Sequence, residues 1–158
     1  MKAVVIGGSS WDTLIKVNKI NELKNDMMLF AETINETVGG TGAGKALCLD
    51  SIGVDTTLIS EFGFDEMSHK IRKYFESTAI NVIELNVDKS VAHTNIMHSG
   101  GKRISIITSQ ANTESRMYYN ANKLIMNTDV VFLNINNFCR QYIPIIKKYK
   151  KLCVVDIH

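Results

Sequence analysis

Apolar residues recur along the chain with two periods, one typical of strands and the other of helices. Helical spacing predicts one helix from Thr41 to Ile52, ended by Gly53, and another from about Asp65 to Thr78, capped by Asp65. A third helix is expected over residues 138–150, with a break or a late start near Pro144. Short apolar runs predict buried strands at residues 2–6, 56–59, 129–133 and 152–157. Strands that alternate with helices in this way predict parallel βαβ units and an α/β fold.

Two segments interrupt this order. Residues 12–38 alternate like a half-exposed strand, with a turn expected at Asn25-Asp26. Residues 91–107 form two alternating stretches around Ser99-Gly100-Gly101-Lys102, which predicts a hairpin because glycine tolerates positive φ. We expect the two segments, at about 12–38 and 91–108, to pair as a small β lid on residues 1–158, which we expect to form the amino-terminal part of one domain.

Composition limits the classes of function that the chain can have. Its 158 residues are 45% hydrophobic and 22% charged, as in one globular domain with a core. The net charge of +2 comes from interspersed residues, apart from a basic run at 147–151 that suits a solvated helix end, so we expect no nucleic-acid partner. No apolar run of about 18 residues and no leader sequence occurs, so we expect no membrane partner and a cytoplasmic location.

The three cysteines give no sign of a metal site or a disulfide framework. They are odd in number, isolated, and set among apolar neighbours: Cys48, Cys139 and Cys153. Buried, reduced thiols are therefore expected, and no metal ligands are assigned.

The glycine-rich stretch from Gly39 to Ala46 is the most informative part of the sequence. Glycines at the start of a helix let backbone N–H groups approach a polar or anionic ligand closely. One interpretation is a P-loop, since Gly39 is followed at the required spacing by Gly44 and Lys45. However, Ala46 stands where a P-loop needs a hydroxyl for Mg²⁺, and residues 32–38 alternate instead of forming a buried strand.

The same stretch resembles the first signature of the ribokinase-like (PfkB) carbohydrate kinases. Six small residues stand at the expected positions: Gly39, Gly40, Gly42, Ala46, Gly53 and Gly63. The opening strand with Ser10 and Asp12, the lid hairpin from Thr94 to Ile107, and the later strands extend the resemblance over nearly the whole chain. In one respect the chain departs from the family, since Gly44 stands where the family has Asn and is followed by Lys45.

The resemblance implies a three-layer αβα fold with a mostly parallel sheet and a β lid. It also implies an ATP- and Mg²⁺-dependent kinase whose partner is a small sugar or nucleoside, and a homodimer formed through the lid. Asp12 would accept hydrogen bonds from sugar hydroxyls, while the glycine-rich backbone closes on the sugar. The substrate-binding residues expected on this basis are Ser10, Asp12, Gly39, Gly40, Thr41, Gly42, Gly44 and Lys45. Asn134 joins them because it follows a core strand at its carboxyl end, where α/β proteins bind ligands.

The family's catalytic base lies in a Gly-Ala-Gly-Asp motif that this sequence lacks. Gly42 to Gly44 spells Gly-Ala-Gly, but Lys45 follows, and a cation cannot accept a hydroxyl proton. No catalytic residue is therefore assigned. We expect a substrate-binding half whose carboxy-terminal part is missing and which is inactive alone, or alternatively a non-catalytic sugar-binding or dimerisation module.

Overall fold

Two sheets and the helices that cover one of them make up the computed structural model, which describes residues 1–18, 28–98 and 101–156. The strands are β1 (Lys2–Ile6), β2 (Ser10–Val17), β3 (Ala31–Gly39), β4 (Asp55–Phe62), β5 (Asn81–Asn86), β6 (Val91–His98), β7 (Arg103–Ser109), β8 (Val130–Leu133) and β9 (Leu152–Val155). The helices are α1 (Thr41–Ser51), α2 (Glu66–Phe75), α3 (Ala121–Met126) and α4 (Ile143–Lys148), with a 3₁₀ helix at Asn137–Tyr142. Within these ranges, no helix is long and apolar enough to cross a membrane.

The larger sheet has five parallel strands in the order β5-β4-β1-β8-β9. Its central strand, β1, is buried from Ala3 to Ile6, because helices cover both faces. Val5 packs with α1 and α2 on one face, while Val4 and Ile6 pack with α3, the 3₁₀ helix and α4 on the other. These three layers confirm the predicted αβα fold.

The smaller sheet contains four strands in the order β3-β2-β6-β7, and we call it the lid. β2 runs antiparallel to β3 and parallel to β6, and β6 runs antiparallel to β7. This confirms the prediction that two distant segments pair as a second sheet. The turn expected at Asn25-Asp26 lies outside the described residues, as do Ser99 and Gly100 of the hairpin turn. In the described part of that turn, Gly101 has a φ of 72°, and the antiparallel pairing of β6 with β7 confirms the hairpin.

The prediction of a buried last strand was wrong. β9 pairs with β8 through four residues, but Leu152 is 68% exposed and Val155 is 50% exposed. A short apolar run suggests burial on both faces, yet it does not reveal that a strand lies at the edge of its sheet. β5, at the opposite edge, was not predicted at all, since Glu84 interrupts its apolar run and only Leu85 in it is buried.

Pro144 delays the last helix, as predicted. Residues Asn137–Tyr142 form 3₁₀ turns, and α4 then begins with proline in its first turn, where the missing amide hydrogen leaves no helical bond unmade.

The cysteines differ in burial more than the sequence indicated. Cys139 is buried, but Cys153 is half-buried and Cys48 is exposed, so the prediction of burial was wrong for Cys48. All three are free thiols. Cys48 lies on the outer side of α1, which buries Ala43 and Ala46 instead.

Candidate functional site

A cavity of about 570 Å³ lies between the lid and the loops that follow β1 and β8. Most of the residues that line it carry polar side chains, which suits a ligand held by hydrogen bonds in a partly enclosed space. The lid strands, the loops after β1, β3 and β8, and the start of α1 contribute Gly8, Ser9, Ser10, Asp12, Gly40, Thr41, Val91, His93, Asn95, Arg103, Ser105, Ile107 and Asn136.

Asp12 is the carboxylate in this cavity, and its side chain is 16% exposed. Its Oδ1 accepts a hydrogen bond from Ser10 Oγ at 2.7 Å and lies 2.9 Å from His93 Nδ1. Its Oδ2 accepts a hydrogen bond from Asn95 Nδ2 at 3.2 Å. Strands β2 and β6 therefore hold the carboxylate from two sides.

The position of Asp12 depends on the absence of a side chain at Gly39. A Cβ atom at Gly39 would lie 2.3 Å from Asp12 Cγ, closer than any real contact. The carboxylate thus packs directly on the backbone of β3, which is paired with β2 at this level. Gly39 supports the site without itself lining the cavity.

Asn95 extends the polar contacts of Asp12 across the lid. Its amide nitrogen donates to Asp12, and its Oδ1 accepts from Ser105 Oγ at 2.7 Å. Asn95 is 4% exposed, so both ends of its amide are satisfied within the protein. Three lid strands, β2, β6 and β7, are joined by this chain of contacts.

The glycine-rich loop turns the chain from the lid into α1. Gly40 has a φ of 89°, a conformation that other residues rarely adopt, and its backbone lies against Gly8 and Ser9. Gly42 is buried against Gly7, where an added Cβ would approach to 2.4 Å. These glycines bring the start of α1 close to the end of β1, and Gly40 and Thr41 line the cavity.

The geometry of this loop differs from that of a P-loop. The preceding strand, β3, belongs to the lid and not to the parallel sheet. The N–H groups of Gly42 and Ala43 both donate to the carbonyl oxygen of Gly8, at 3.0 and 3.2 Å. They are therefore engaged inside the protein, where a P-loop would offer them to phosphate.

Lys45 and Gly44, also expected in the site, do not line the cavity. Lys45 Nζ lies 2.7 Å from Asp156 Oδ2, in an ion pair that links α1 to the end of β9. The Asp156 side chain is only 12% exposed, so this pair is largely shielded from solvent. Gly44 is exposed, and a Cβ atom added there would meet nothing within 4 Å.

Asn134 lies behind the cavity, in contact with a residue that lines it. Its Nδ2 donates to Thr41 Oγ1, and its backbone N–H donates to Ile6 O at 3.0 Å. Asn134 is 3% exposed. It ties the start of α1 to the end of β8, and Asn136, two residues later, reaches the cavity wall.

The cavity residues on lid strands β6 and β7 were not predicted from the sequence. His93, Asn95 and Ser105 line the cavity, although none of them was predicted as a substrate-binding residue. Polar residues two apart on a strand share one face, so the spacing of His93 and Asn95 was the available signal. Arg103 adds a cation to the same wall. Among residues that the structure describes, no group of three or more His, Cys, Asp or Glu side chains could hold a metal ion.

Residues 1–144 match the model of the pfkB family of carbohydrate kinases. The match covers most of the 158 residues. This chain belongs to the pfkB carbohydrate kinase family. None of the curated proteins matches it.

Solved structures of carbohydrate kinases share the fold of this pfkB chain. A microbiome-derived acarbose kinase is 19% identical with a TM-score of 0.82, over 99% of this chain and 53% of its own. Ribokinase of Arabidopsis thaliana, complexed with ribose and ATP, is 20% identical with a TM-score of 0.77, over 98% and 53%. A Burkholderia thailandensis nucleoside kinase in complex with inosine is 10% identical with a TM-score of 0.68, over 98% and 50%. The chain thus spans about half the length of these kinases.

Proposed function

We propose that this chain is the substrate-binding half of an ATP-dependent kinase that phosphorylates a sugar or a nucleoside. The observation that supports this most is the partly buried Asp12 in a lid-covered cavity of about 570 Å³. A carboxylate held by three protein donors retains acceptor capacity for a hydroxyl group of the ligand. The bound ligands of two structural neighbours, ribose and inosine, both carry hydroxyl groups.

The phosphoryl-transfer chemistry is proposed to lie outside residues 1–158. Phosphoryl transfer needs a group that accepts the hydroxyl proton and groups that stabilise the developing negative charge. The Gly-Ala-Gly sequence at residues 42–44 is followed by Lys45, a cation that cannot serve as this base and that is paired with Asp156. The N–H groups of Gly42 and Ala43 in the first turn of α1 are also occupied, so we assign neither ATP nor Mg²⁺ to the described residues and expect both in the full-length protein.

Binding and turnover by the full-length protein test this function. We expect ribose, inosine or a related polyol to raise its melting temperature, because a ligand that binds only the native state stabilises it. Addition of ATP should then give the phosphorylated product. The polypeptide of residues 1–158 should not phosphorylate the same ligand. Turnover by that pure polypeptide would contradict the proposal that the catalytic groups lie outside residues 1–158.

Substitution of Asp12 tests the site itself. Asp12→Ala should weaken binding by about 1.5–3 kcal/mol, since a charge-assisted hydrogen bond to a hydroxyl is lost. An unchanged affinity would remove Asp12 from the site.

The mass and sequence of the natural polypeptide would show whether a Gly-Ala-Gly-Asp segment follows position 158. A polypeptide that ended there would contradict the kinase proposal.

A dimerisation role is the second candidate, and a row of isoleucines on the lid favours it. The strand register aligns Ile34, Ile15, Ile96 and Ile104 across all four strands. They lie on the face opposite Asp12, since side chains alternate along a strand, and Ile34 is 63% exposed. We infer that this row contacts a second copy of the chain.

Sedimentation of an Ile34→Lys variant tests the lid dimer. We expect the wild-type protein to sediment as a dimer and Ile34→Lys as a monomer, because a buried unpaired charge is costly at an interface. Thr33→Lys is the matched control, since the neighbouring side chain points to the other face. A variant that remains dimeric would contradict the assignment.

The cytoplasmic location and the lack of a nucleic-acid partner stay predictions.

A further inference from the structure

His93 is the cavity residue whose role the proposed function leaves open. It lies on β6 at the position paired with Asp12 on the neighbouring parallel strand β2, so the two side chains share one face of the lid. Its side chain is 27% exposed, and it lines the cavity. His93 therefore faces a carboxylate inside the cavity, and not solvent on an outer surface of the lid.

The contact with Asp12 fixes which nitrogen of His93 carries hydrogen. Nδ1 lies 2.9 Å from Asp12 Oδ1, and a carboxylate at neutral pH only accepts hydrogen bonds. Nδ1 is therefore the donor, and in the neutral imidazole Nε2 carries the lone pair. Over the part of the chain that the structure describes, Nε2 makes no hydrogen bond. Hence His93 brings a hydrogen-bond acceptor to the cavity wall that no described residue uses.

Asp12 retains an acceptor position of its own. Each carboxylate oxygen has two lone-pair positions. Among the described residues, Oδ1 accepts a hydrogen bond from Ser10 and one from His93, whereas Oδ2 accepts one from Asn95 alone. One position on Oδ2 is left for a ligand, so the cavity wall offers two acceptors on adjacent strands. The other charged group in the lining, Arg103, is a donor and cannot take that role.

We propose that His93 is a second substrate-binding residue, whose Nε2 accepts a hydrogen bond from one hydroxyl while Asp12 Oδ2 accepts one from another. Asp12 acts on His93 as a positioning residue, because it fixes the tautomer that leaves Nε2 free. The pair selects a ligand with two nearby hydroxyl groups, such as the diol of a furanose ring. This inference rests on the proposed function and adds a specificity residue to it.

Two isosteric substitutions separate ligand contact from a purely structural role. Asn places an amide nitrogen near the position of Nδ1 and can still donate to Asp12, but it has no group at the position of Nε2. Gln places a polar atom near Nε2 but loses the short link to Asp12. If His93 binds substrate, His93→Asn should weaken inosine binding about fivefold or more, and His93→Gln less.

The opposite order would overturn the proposal. If His93 only anchors Asp12, His93→Asn should bind like the wild type and His93→Gln should be the weaker variant. Equal affinity of all three proteins would overturn it as well. The matched control is His69→Asn on the exposed side of α2, which should leave inosine affinity unchanged.

Deoxy analogues identify the hydroxyl that meets Nε2. Binding of inosine, 2′-deoxyinosine and 3′-deoxyinosine is measured with the full-length wild type and with His93→Asn. One of the two deoxy analogues should bind the wild type about fivefold more weakly than inosine does. The same analogue should bind His93→Asn no more weakly than inosine does, because that variant already lacks the acceptor for the missing hydroxyl, and the effects of two groups in contact are not additive. A loss that is equal in both proteins for every analogue would contradict the contact.

Long-range ¹H–¹⁵N correlation of the histidine rings supplies a test that needs no ligand. In its neutral form, His93 should show the tautomer with hydrogen on Nδ1. Hydrogen on Nε2 would overturn the proposal. If neither ribose nor inosine binds the wild type, the proposed substrate class fails, and the tautomer still decides whether His93 offers an acceptor.

Discussion

At the level of single residues, the fit between Gly39 and Asp12 determines where the carboxylate stands. Because an added Cβ would lie 2.3 Å from Asp12 Cγ, Gly39→Ala must displace Asp12 or the backbone of β3. We expect this variant to bind inosine about tenfold more weakly or worse, since the charge-assisted hydrogen bonds of Asp12 are misplaced. Titration calorimetry with the full-length protein measures the effect.

Thr33→Ala, an exposed position on the same strand, is the control for Gly39→Ala. It shortens a side chain on β3 without touching Asp12, so its affinity for inosine should match that of the wild type. If both variants bound inosine normally, the carboxylate would not depend on the missing side chain at Gly39.

The three thiols should differ in reactivity because their burial differs. Burial raises the pKa of Cys139 to about 12, and its Sγ donates to Ile6 O at 3.3 Å. The thiolate is the reactive form, so Cys139 should react with a thiol reagent only after unfolding. Exposed Cys48 should react at once, and Cys48→Ser should abolish the fast phase. Fast labelling of Cys139 in the native protein would contradict its burial.

The sequence predicted the residues of the site that stand close together in the chain and missed those that tertiary structure brings in. Spaced glycines led to Asp12, Gly40 and Thr41, which line the cavity. His93 and Asn95 lie more than 80 positions after Asp12, and only the parallel pairing of β2 with β6 places them beside it. Such a pairing register depends on packing of the whole lid, which a local pattern does not encode.

At the level of elements, Asp65 joins the start of α2 to the segment that enters the lid. Its Oδ1 accepts from Ser68 N at 2.8 Å, and its Oδ2 accepts from Ser90 N at 2.7 Å. Burial alone would raise the pKa of Asp65, but the hydrogen bonds from Ser68 and Ser90 together outweigh it and lower the pKa. The capping residue predicted from the sequence thus has a second function, holding residue 90 just before β6.

The lowered pKa of Asp65 predicts how its contribution to stability varies with pH. A folded-state pKa below the unfolded value of about 3.9 means that the stabilisation is complete above that value and is lost as the pH falls through the folded pKa. Asp65→Ala should therefore lower the free energy of unfolding by about 1–2 kcal/mol at neutral pH. The difference from wild type should shrink below about pH 4. Urea denaturation at several pH values measures it.

A substitution at the other end of α2 is the control for Asp65→Ala. Glu76 is exposed and follows the last turn of the helix. Glu76→Ala should change the free energy of unfolding by less than about 0.5 kcal/mol at every pH. A difference between Asp65→Ala and wild type that stayed constant into acid would show that the charge of Asp65 does not contribute.

Helix limits were predicted well where a cap or a proline marks them, and strand positions less well. Asp65, Gly53 and Pro144 act through local backbone chemistry, so their effects can be recognised from neighbouring residues alone. Whether β5 and β9 lie at the edges of the main sheet depends on how many strands that sheet contains. That number is a property of the whole fold, and for this reason the exposure of β9 was not predicted.

At the level of the whole molecule, the edge of the main sheet at β9 is more apolar than a solvent-facing strand usually is. Leu152, Val154 and Val155 are 68%, 43% and 50% exposed. β9 pairs with β8 on one side, and natural sheets protect such edges with charges or with further structure. Under the proposed function, the carboxy-terminal half of the kinase would cover this strand.

Val154→Lys tests whether the rest of the protein covers β9. In the polypeptide of residues 1–158 the lysine would remain in water, so the free energy of unfolding should change by less than about 0.5 kcal/mol and aggregation should decrease. In the full-length protein the same lysine would be buried without a partner and should cost more than about 2 kcal/mol. Val131→Lys, at a fully buried position of β8, should destabilise both proteins. Equal tolerance of Val154→Lys in the two proteins would mean that β9 stays exposed, and the proposed covering half would then have to pack elsewhere.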